Sequence, residues 1–223
     1  MLRPLAAAAA AALSLAACGD SNTSAPAPTT PFAGTIMGTP FTPADATALV
    51  LSTEATCTYS DITATATGIA LGFSTSTGLC QFIKDNGTCT NRANATTVSI
   101  LVVRANTAID GHPGPVQPGT YALFTGLALP PHDAQGNYIF FVADITKTID
   151  VSCTEPTTPT AVSGTVRIDT IDDTHVPGHV TGSANITFSD GTTHVAGSFD
   201  VPTCAFATNV CAPLTCTTPA CVP

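Results

Sequence analysis

Two stretches of alternating apolar and polar residues, joined by one tight turn, constrain the fold of this chain most. In residues 178–188 and again in residues 192–201, apolar side chains recur at every second position. Asp190-Gly191 lies between the two stretches, and this dipeptide is typical of two-residue type I′ turns. The pattern therefore predicts a β-hairpin with one apolar face.

The position of the turn fixes the register of this hairpin. A one-residue shift of either strand would move all its apolar side chains to the opposite face, so the register set by the turn can be checked against the apolar pattern. Here they agree. The predicted cross-strand pairs are Val180 with Val201, Gly182 with Phe199, Ala184 with Gly197, and Ile186 with Val195.

Further strands are predicted from alternation or from short apolar runs, over residues 34–38, 46–51, 62–73, 97–104, 121–129, 138–145 and 162–168. The apolar phase changes at Gly68, where we predict a β-bulge. A short helical turn is predicted over residues 79–84. Only 9% of residues are charged, which suits short strands and tight turns. We therefore expect an all-β domain, an antiparallel β-sandwich, with an open β-barrel as the alternative.

The first 17 residues have the composition of an export signal. Arg3 supplies one positive charge, and residues 5–17 are small and apolar. This stretch is shorter than the roughly 20 residues that a transmembrane helix needs. A secretory signal peptide is therefore predicted at residues 1–17, with no transmembrane helix after its removal.

The segment Leu15-Ala16-Ala17-Cys18 resembles the lipobox of bacterial lipoproteins. The resemblance implies cleavage before Cys18 and a diacylglycerol on its thiol, with two or more acyl chains as a stable membrane anchor. Gly19 follows where aspartate would favour inner-membrane retention, so the outer membrane is expected. An ordinary secretory signal ending in Ala-x-Ala is the alternative.

The residues after the signal divide into three predicted parts. Residues 18–31 are small and polar after the lipidated cysteine and predict a flexible tether. Residues 32–204 are long enough for one β-rich domain with a single core. Residues 205–223 form a cysteine-rich tail with few large apolar side chains, so we expect crosslinks to hold it on or beside the domain.

Loose motifs near both ends of the domain resemble uncharacterised β-rich bacterial lipoproteins. The first is Gly34-Thr35-Ile36-x-Gly38-x-x-Phe41-Thr42-Pro43. The others are Gly164-Thr165-Val166, His194-Val195-x-Gly197-Ser198-Phe199-Asp200 and Cys204. The resemblance implies a β-rich fold and an envelope location, and it implies no activity.

Eight cysteines follow Cys18: Cys57, Cys80, Cys89, Cys153, Cys204, Cys211, Cys216 and Cys221. An even number in an exported chain predicts four disulfides rather than a metal site. The turn at residues 85–87 favours a bridge from Cys80 to Cys89. For the rest, Cys57 with Cys153 and two bridges within the tail is one pattern among many.

Candidate metal ligands are few and lie close together in sequence. His175 and His179 flank a Pro-Gly turn beside Asp172 and Asp173, where a metal could bind. Asp169 with Asp172 and Asp173 is a candidate for calcium. A solvated polar turn is the simpler interpretation of both sets. His194 and His179 are separated by roughly 26 Å in the predicted register, at about 3.3 Å per residue, and cannot share one ion.

Function is less constrained than fold. The chain carries a formal charge of −9, which argues against nucleic acid as a partner. It contains no tryptophan for sugar stacking, and we find no catalytic motif. We expect a non-catalytic binding or structural module without a cofactor, anchored by the lipid on Cys18 and facing an envelope or surface partner. The alternatives are a hydrolase with a site assembled from loop aspartates and histidines, and a metal-binding surface module.

Two loops are the first candidate surfaces for recognition, because loops on a rigid scaffold carry most binding residues. They are residues 112–118 and 130–136, which contain His112 and His132. If the predicted strand 121–129 between them is continuous, the two loops lie at opposite ends of the domain.

Overall fold

The computed structural model describes residues 30–59, 62–88, 90–108, 110–126, 130–175, 177–206 and 220–222. The predicted signal peptide, Cys18 and the first part of the tether lie outside these ranges. The elements are β1 Ala33–Ile36, β2 Thr39–Phe41, β3 Asp45–Tyr59, β4 Ile62–Ser74, α1 Leu79–Asn86, β5 Thr90–Arg92, β6 Thr96–Asn106, β7 Gly119–Ala122, β8 Tyr138–Lys147, β9 Ala161–Asp172, β10 His179–Phe188, β11 His194–Pro202 and β12 Ala220–Val222.

Two antiparallel sheets pack face to face. The six-stranded sheet has the order β2-β1-β11-β10-β9-β7, and the four-stranded sheet has the order β3-β4-β6-β8. The main core lies between them and takes buried side chains from both sheets, among them Phe73, Phe141, Ile186 and Phe188. The predicted antiparallel β-sandwich is therefore confirmed, and the sheets do not close into a barrel.

The C-terminal hairpin has the predicted register. All four expected cross-strand pairs are present, including Gly182 opposite Phe199. A β-carbon on Gly182 would lie 2.8 Å from the Phe199 ring and 2.0 Å from the Arg167 carbonyl oxygen. The glycine therefore lets the ring and the neighbouring strand approach the backbone closely.

The turn of this hairpin differs from the predicted type I′. Type I′ requires positive φ at both central residues, but here Gly191 alone of the pair has positive φ, at 68°. The Gly191 N–H donates to the Phe188 carbonyl at 3.2 Å. The Asp190 carboxylate accepts hydrogen bonds from the backbone and the hydroxyl of both Thr192 and Thr193. An aspartate-stabilised turn thus gives the same register by another geometry.

The predicted β-bulge at Gly68 is wrong. β4 pairs with β6 without interruption through Gly68, and the register shift lies in β3, between Leu51 and Ala55. The phase change has another cause: Ile69 belongs to the core between the sheets, whereas Ala66 belongs to a second apolar cluster on the outer face. Because β4 is buried on both faces, its alternating apolar side chains lie on the outer face before Gly68 and on the inner face after it.

The short helix and the central strand agree with the sequence. The predicted turn over residues 79–84 is α1, which extends to Asn86. The strand predicted over residues 97–104 is β6, which pairs with both β4 and β8. Among the described residues, no helix is sufficiently long and apolar to span a membrane.

The strand predicted over residues 121–129 ends early, as β7. After Ala122 the chain leaves the six-stranded sheet, and the Phe124 N–H donates to the Phe141 carbonyl of β8 at 2.8 Å. Gly126 then has a positive φ of 79°, and residues 127–129 lie outside the described ranges. The segment thus links an edge of one sheet to an edge of the other, which sequence alternation does not show.

Two disulfides of the described residues differ from the predicted ones. Cys80 pairs with Cys204 and Cys153 pairs with Cys221, so the predicted Cys80–Cys89 and Cys57–Cys153 bridges are wrong. Two bridges within the tail are excluded as well, because Cys204 and Cys221 both pair outside it. Cys57 is also disulfide-bonded, whereas Cys89, Cys211 and Cys216 lie outside the described part. The Cys80–Cys204 pairing depends on a contact between distant segments. Cys204 follows β11, and its N–H donates to the Ala48 carbonyl of β3 at 2.7 Å, which places Cys204 beside α1.

The bridges also indicate the compartment. Disulfides form and persist in oxidising surroundings outside the cytoplasm, so this is a non-cytoplasmic protein. The far end of the tail is held twice, by the Cys153–Cys221 bridge and by β12, which pairs in parallel with β5.

Candidate functional site

The two loops that the sequence singles out meet at one side chain, Arg104. Residues 112–118 and 130–136 would lie at opposite ends only if strand 121–129 were continuous, and that condition fails because β7 ends at Ala122. Arg104 Nη1 donates to the Pro115 carbonyl at 3.1 Å, and Arg104 Nη2 donates to Asp133 Oδ2 at 2.8 Å. We call this pair of loops, together with Arg104, the paired-loop site.

Arg104 reaches both loops from the inner face of the four-stranded sheet. It follows Val98, Ile100 and Val102 at alternate positions of β6, and these three side chains point into the core. The side chain of Arg104 is 12% exposed and that of Asp133 is 16% exposed. An ion pair enclosed to this degree is screened weakly by solvent. An arginine in phase with an apolar strand is the sequence signal for this site, and the sequence reasoning missed it.

The Asp133 carboxylate organises the second loop. Besides Arg104, it accepts hydrogen bonds from the backbone N–H groups of Gln135 and Asn137, each at 2.9 Å. Burial acts to raise the pKa of Asp133, but the hydrogen bonds from Asn137, Arg104 and Gln135 outweigh it and lower that pKa to about 2. The carboxylate is therefore charged throughout the neutral range and fully engaged in holding the loop.

A second contact ties the loop to the end of β6. Asn106 Nδ2 donates to Asn137 Oδ1 at 2.8 Å, and Asn137 is 3% exposed. The ring of His132 stacks on Tyr138 with centroids 4.2 Å apart. Loop 130–136 is thus fixed at both of its ends.

The first loop closes the open end of the sandwich. Val116 is 6% exposed and belongs to the main core. The Thr67 hydroxyl donates to the Gly114 carbonyl at 2.6 Å, and the Gly114 N–H donates to Glu54 Oε1 at 3.2 Å. Glu54 comes from the bulged part of β3, so the bulge has a positional role here.

Glu54 also binds the histidine of this loop. Glu54 Oε2 lies 2.6 Å from His112 Nδ1, and the side chains are 29% and 79% exposed. The hydrogen bond and the charge of Glu54 raise the pKa of His112 above its usual value. The same bond, with that from Gly114, lowers the pKa of Glu54. The pair can exchange a proton with solvent, and its geometry also fixes the loop.

The titration of this pair is a testable consequence. Above its unfolded pKa of about 4.3, Glu54 is charged, and below its own unfolded pKa of about 6.5, His112 is charged. The pair is therefore complete between these values; it is lost as pH falls through the lowered pKa of Glu54 or rises through the raised pKa of His112. We expect the histidine resonances in a nuclear magnetic resonance (NMR) titration to give His112 a pKa above 6.5. The Glu54→Gln variant should lower this pKa, because Glu54 is the main cause of the shift, and an unchanged value in that variant would contradict the assignment.

The histidines of the predicted metal turn bind separate carboxylates. His175 Nδ1 lies 2.7 Å from Asp172 Oδ2, and His179 Nδ1 lies 2.7 Å from Asp200 Oδ1. Asp173 is exposed. In the part of the chain that the structure describes, no three His, Cys, Asp or Glu side chains are arranged to hold a metal.

The predicted calcium ligands are not brought together either. Asp169 lies on β9, where its carboxylate pairs with Arg167 Nε at 2.6 Å. Asp172 turns instead to Thr174 and His175, whose hydrogen bonds lower its pKa. His194 bonds to Asn185 at 2.9 Å, in the predicted register opposite Thr187. These side chains are arranged as exposed polar pairs.

Comparison of the chain with protein families, with curated proteins and with solved structures finds no match.

Proposed function

We propose that this chain is a lipid-anchored lipoprotein of the cell envelope, exported by residues 1–17 and attached through Cys18, and that it acts as a non-catalytic binding or structural module. The paired-loop site is its recognition surface. The observation that carries this proposal is the locking of both loops through Arg104. Loops fixed in advance lose less conformational entropy when they bind a partner.

The chemistry of the site supports recognition over catalysis. Asp133 and Arg104 are committed to one another and to loop backbone. His112 and Glu54 could support acid–base chemistry, but Glu54 also holds Gly114 in place. The loops present a mixed surface to solvent: the polar side chains His112, Gln117, His132 and Gln135 are exposed, and so are the apolar Pro115, Pro118, Pro131 and Ala134.

The hydrolase alternative rests on one observation, the contact between His112 and Glu54. A hydrogen-bonded carboxylate can orient a histidine that acts as a general base. The metal-binding alternative rests on the turn at residues 172–179, whose two histidines each leave Nε2 available to solvent or a metal. We propose neither as the main function, because each pair is exposed and satisfied on its own.

A crosslinking experiment in the native envelope tests the proposal. A photoreactive residue at Gln117 or Gln135 is expected to give discrete crosslinked species, whereas one at Thr181, on the outer face of the six-stranded sheet, should give none. Crosslinks should disappear when Arg104 is replaced, since the loops then lose their common anchor. Equal labelling at all three positions would contradict a recognition role for the loops.

The anchor is tested separately by mass spectrometry of the membrane-extracted protein. The N-terminal peptide should begin at Cys18 and carry diacylglycerol on its thiol. A Cys18→Ser variant should lose the lipid and be released from membranes. An unmodified N-terminal Cys18 in the extracted protein would show that the lipobox resemblance misleads.

A further inference from the structure

The outer face of the four-stranded sheet has a polar half and an apolar half. One cross-strand row carries small polar groups and one acid: Thr47, Gly72, Ser99 and Asp144. The adjacent row is apolar: Leu49, Ala70, Leu101 and Val142. A carboxylate therefore lies beside an aliphatic strip in which Ala70 and Val142 are half-buried, whereas Leu49 and Leu101 are only 4% and 6% exposed.

A groove runs over these two rows. Its far side is formed by α1, through Phe82 and Ile83, and by β5, through Asn91 and Arg92, and its volume is about 410 Å³. Leu79 of α1 packs on Gly72, where an added β-carbon would lie 3.0 Å from the leucine Cδ2. The glycine lets α1 lie close to the sheet on that side. A groove of this size can take a small ligand.

Asp144 is the acid that faces this groove from the sheet. The Asp144 side chain is exposed to solvent, yet partial desolvation raises the pKa of its carboxyl, and a hydrogen bond from the Ile145 backbone acts in the opposite direction. Arg92, the cation lining the same groove, is held at its far side and not against Asp144. Its guanidinium lies 5.6 Å from the centroid of the Phe82 ring, and it donates to the Thr77 carbonyl.

The second acid of the groove, Glu155, accepts a hydrogen bond from Asn91 on the far side. Asp144 thus keeps acceptor capacity that the described side chains do not use. A carboxylate in this position favours a cationic group, because opposite charge offsets the cost of its partial desolvation. The negative charge of the whole chain, −9, attracts cations to this surface as well.

We propose that this groove binds a linear alkylammonium compound, with the ammonium on Asp144 and the methylene chain over the open parts of the apolar row, at Ala70 and Val142. An ammonium group has three donors, and the hydroxyls of Ser99 and Thr146 border Asp144 as further acceptors. Methylene groups contribute about 0.8 kcal/mol each when fully buried. The apolar row distinguishes such a ligand from a bare inorganic cation, which has no apolar part to bury.

Titration of the full-length protein in detergent with hexylammonium chloride, followed by NMR of backbone amides and methyl groups, tests this proposal. Resonances of Asp144, Leu101 and Val142 should shift together and saturate. Asp144→Asn should weaken binding about tenfold, equivalent to about 1.4 kcal/mol. Ser99→Ala, which keeps the charge, should weaken binding less.

Three controls make the result decisive. Asp200→Asn removes one negative charge from the other sheet and should leave hexylammonium binding unchanged. 1-Hexanol has the same chain without the charge and should bind at least about tenfold more weakly; equal binding would overturn the role of Asp144. Ammonium chloride alone tests the apolar row, and shifts as large as those from hexylammonium would overturn that part. Absence of saturable shifts with hexylammonium would overturn the site altogether.

Discussion

Replacement of Arg104 by alanine is expected to lower the free energy of unfolding by about 3 kcal/mol, the low end of the range for breaking a buried ion pair. The substitution leaves Asp133, at 16% side-chain exposure, without its cation, and removes one of the two donors to the Pro115 carbonyl, which keeps Gln117 Nε2 at 3.2 Å. We place the loss at the low end because both partners keep some contact with water. Urea denaturation at neutral pH measures it.

A second arginine–aspartate pair supplies the matched control. Arg167 and Asp169 are 32% and 27% exposed, and a pair exposed to that degree contributes about 0 to 1 kcal/mol. Arg167→Ala should therefore be well tolerated. A loss for Arg104→Ala no larger than that for Arg167→Ala would show that the paired-loop site does not depend on Arg104.

The pH dependence of the same variant follows from the lowered pKa of Asp133. A carboxyl whose folded pKa is depressed stabilises the fold above its unfolded pKa, and this contribution is lost as pH falls through the folded value. The folded pKa is about 2. The stability difference between the natural chain and Arg104→Ala should thus be constant near neutrality and should shrink between about pH 4 and about pH 2.

Removal of the Cys80–Cys204 disulfide, through the double variant Cys80→Ala and Cys204→Ala, is expected to cost about 4 kcal/mol. The bridge spans 124 residues of sequence, so it restricts the unfolded chain strongly. Cys204 is also 5% exposed and packs in the outer apolar cluster. Loss of its sulfur removes packing as well as the crosslink.

The Cys153–Cys221 bridge is the natural comparison. It spans 68 residues, and the entropic difference between loops of these lengths is only about 0.5 kcal/mol. Cys221 is exposed, so its removal should cost less packing, and we expect about 3 kcal/mol in total. Thermal unfolding of both double variants would rank them. A larger loss at Cys153–Cys221 would contradict the argument from burial.

Functional residues were predicted less well than strands. The sequence identified the loops at residues 112–118 and 130–136, but it placed them apart if strand 121–129 was continuous and did not show that they meet. Their meeting depends on β7 ending at Ala122 and on Arg104, which is 11 residues from Pro115 and 29 from Asp133 in sequence. The two histidines of the 172–179 turn are close in sequence, but each binds a different carboxylate. Side-chain direction in a turn is set by local hydrogen bonds that composition does not specify.

The sequence by itself determined the strands and the register of the C-terminal hairpin. Both depend on residues that are near in sequence. Side chains of a strand point alternately to its two faces, so apolar residues at every second position lie on one face. A short turn then allows only one register in which the apolar faces of both strands lie on the same side. β10 and β11 pair as the residues predict, from His179 with Pro202 to Thr187 with His194. The antiparallel sandwich follows from many such strands that each need one covered face.

Only the tertiary structure decided which distant segments meet. The disulfide partners differ from the predicted ones because Cys204 is carried to α1 by pairing with β3, and eight cysteines alone do not determine their pairing. The change of apolar phase at Gly68 reflects burial of both faces of β4. Which parts of the chain cover these faces depends on tertiary packing and not on the sequence of the strand. Arg104 joins two loops because the sandwich brings the end of β6 beneath both. Long-range contacts of this kind depend on the packing of whole sheets, which no local pattern of residues encodes.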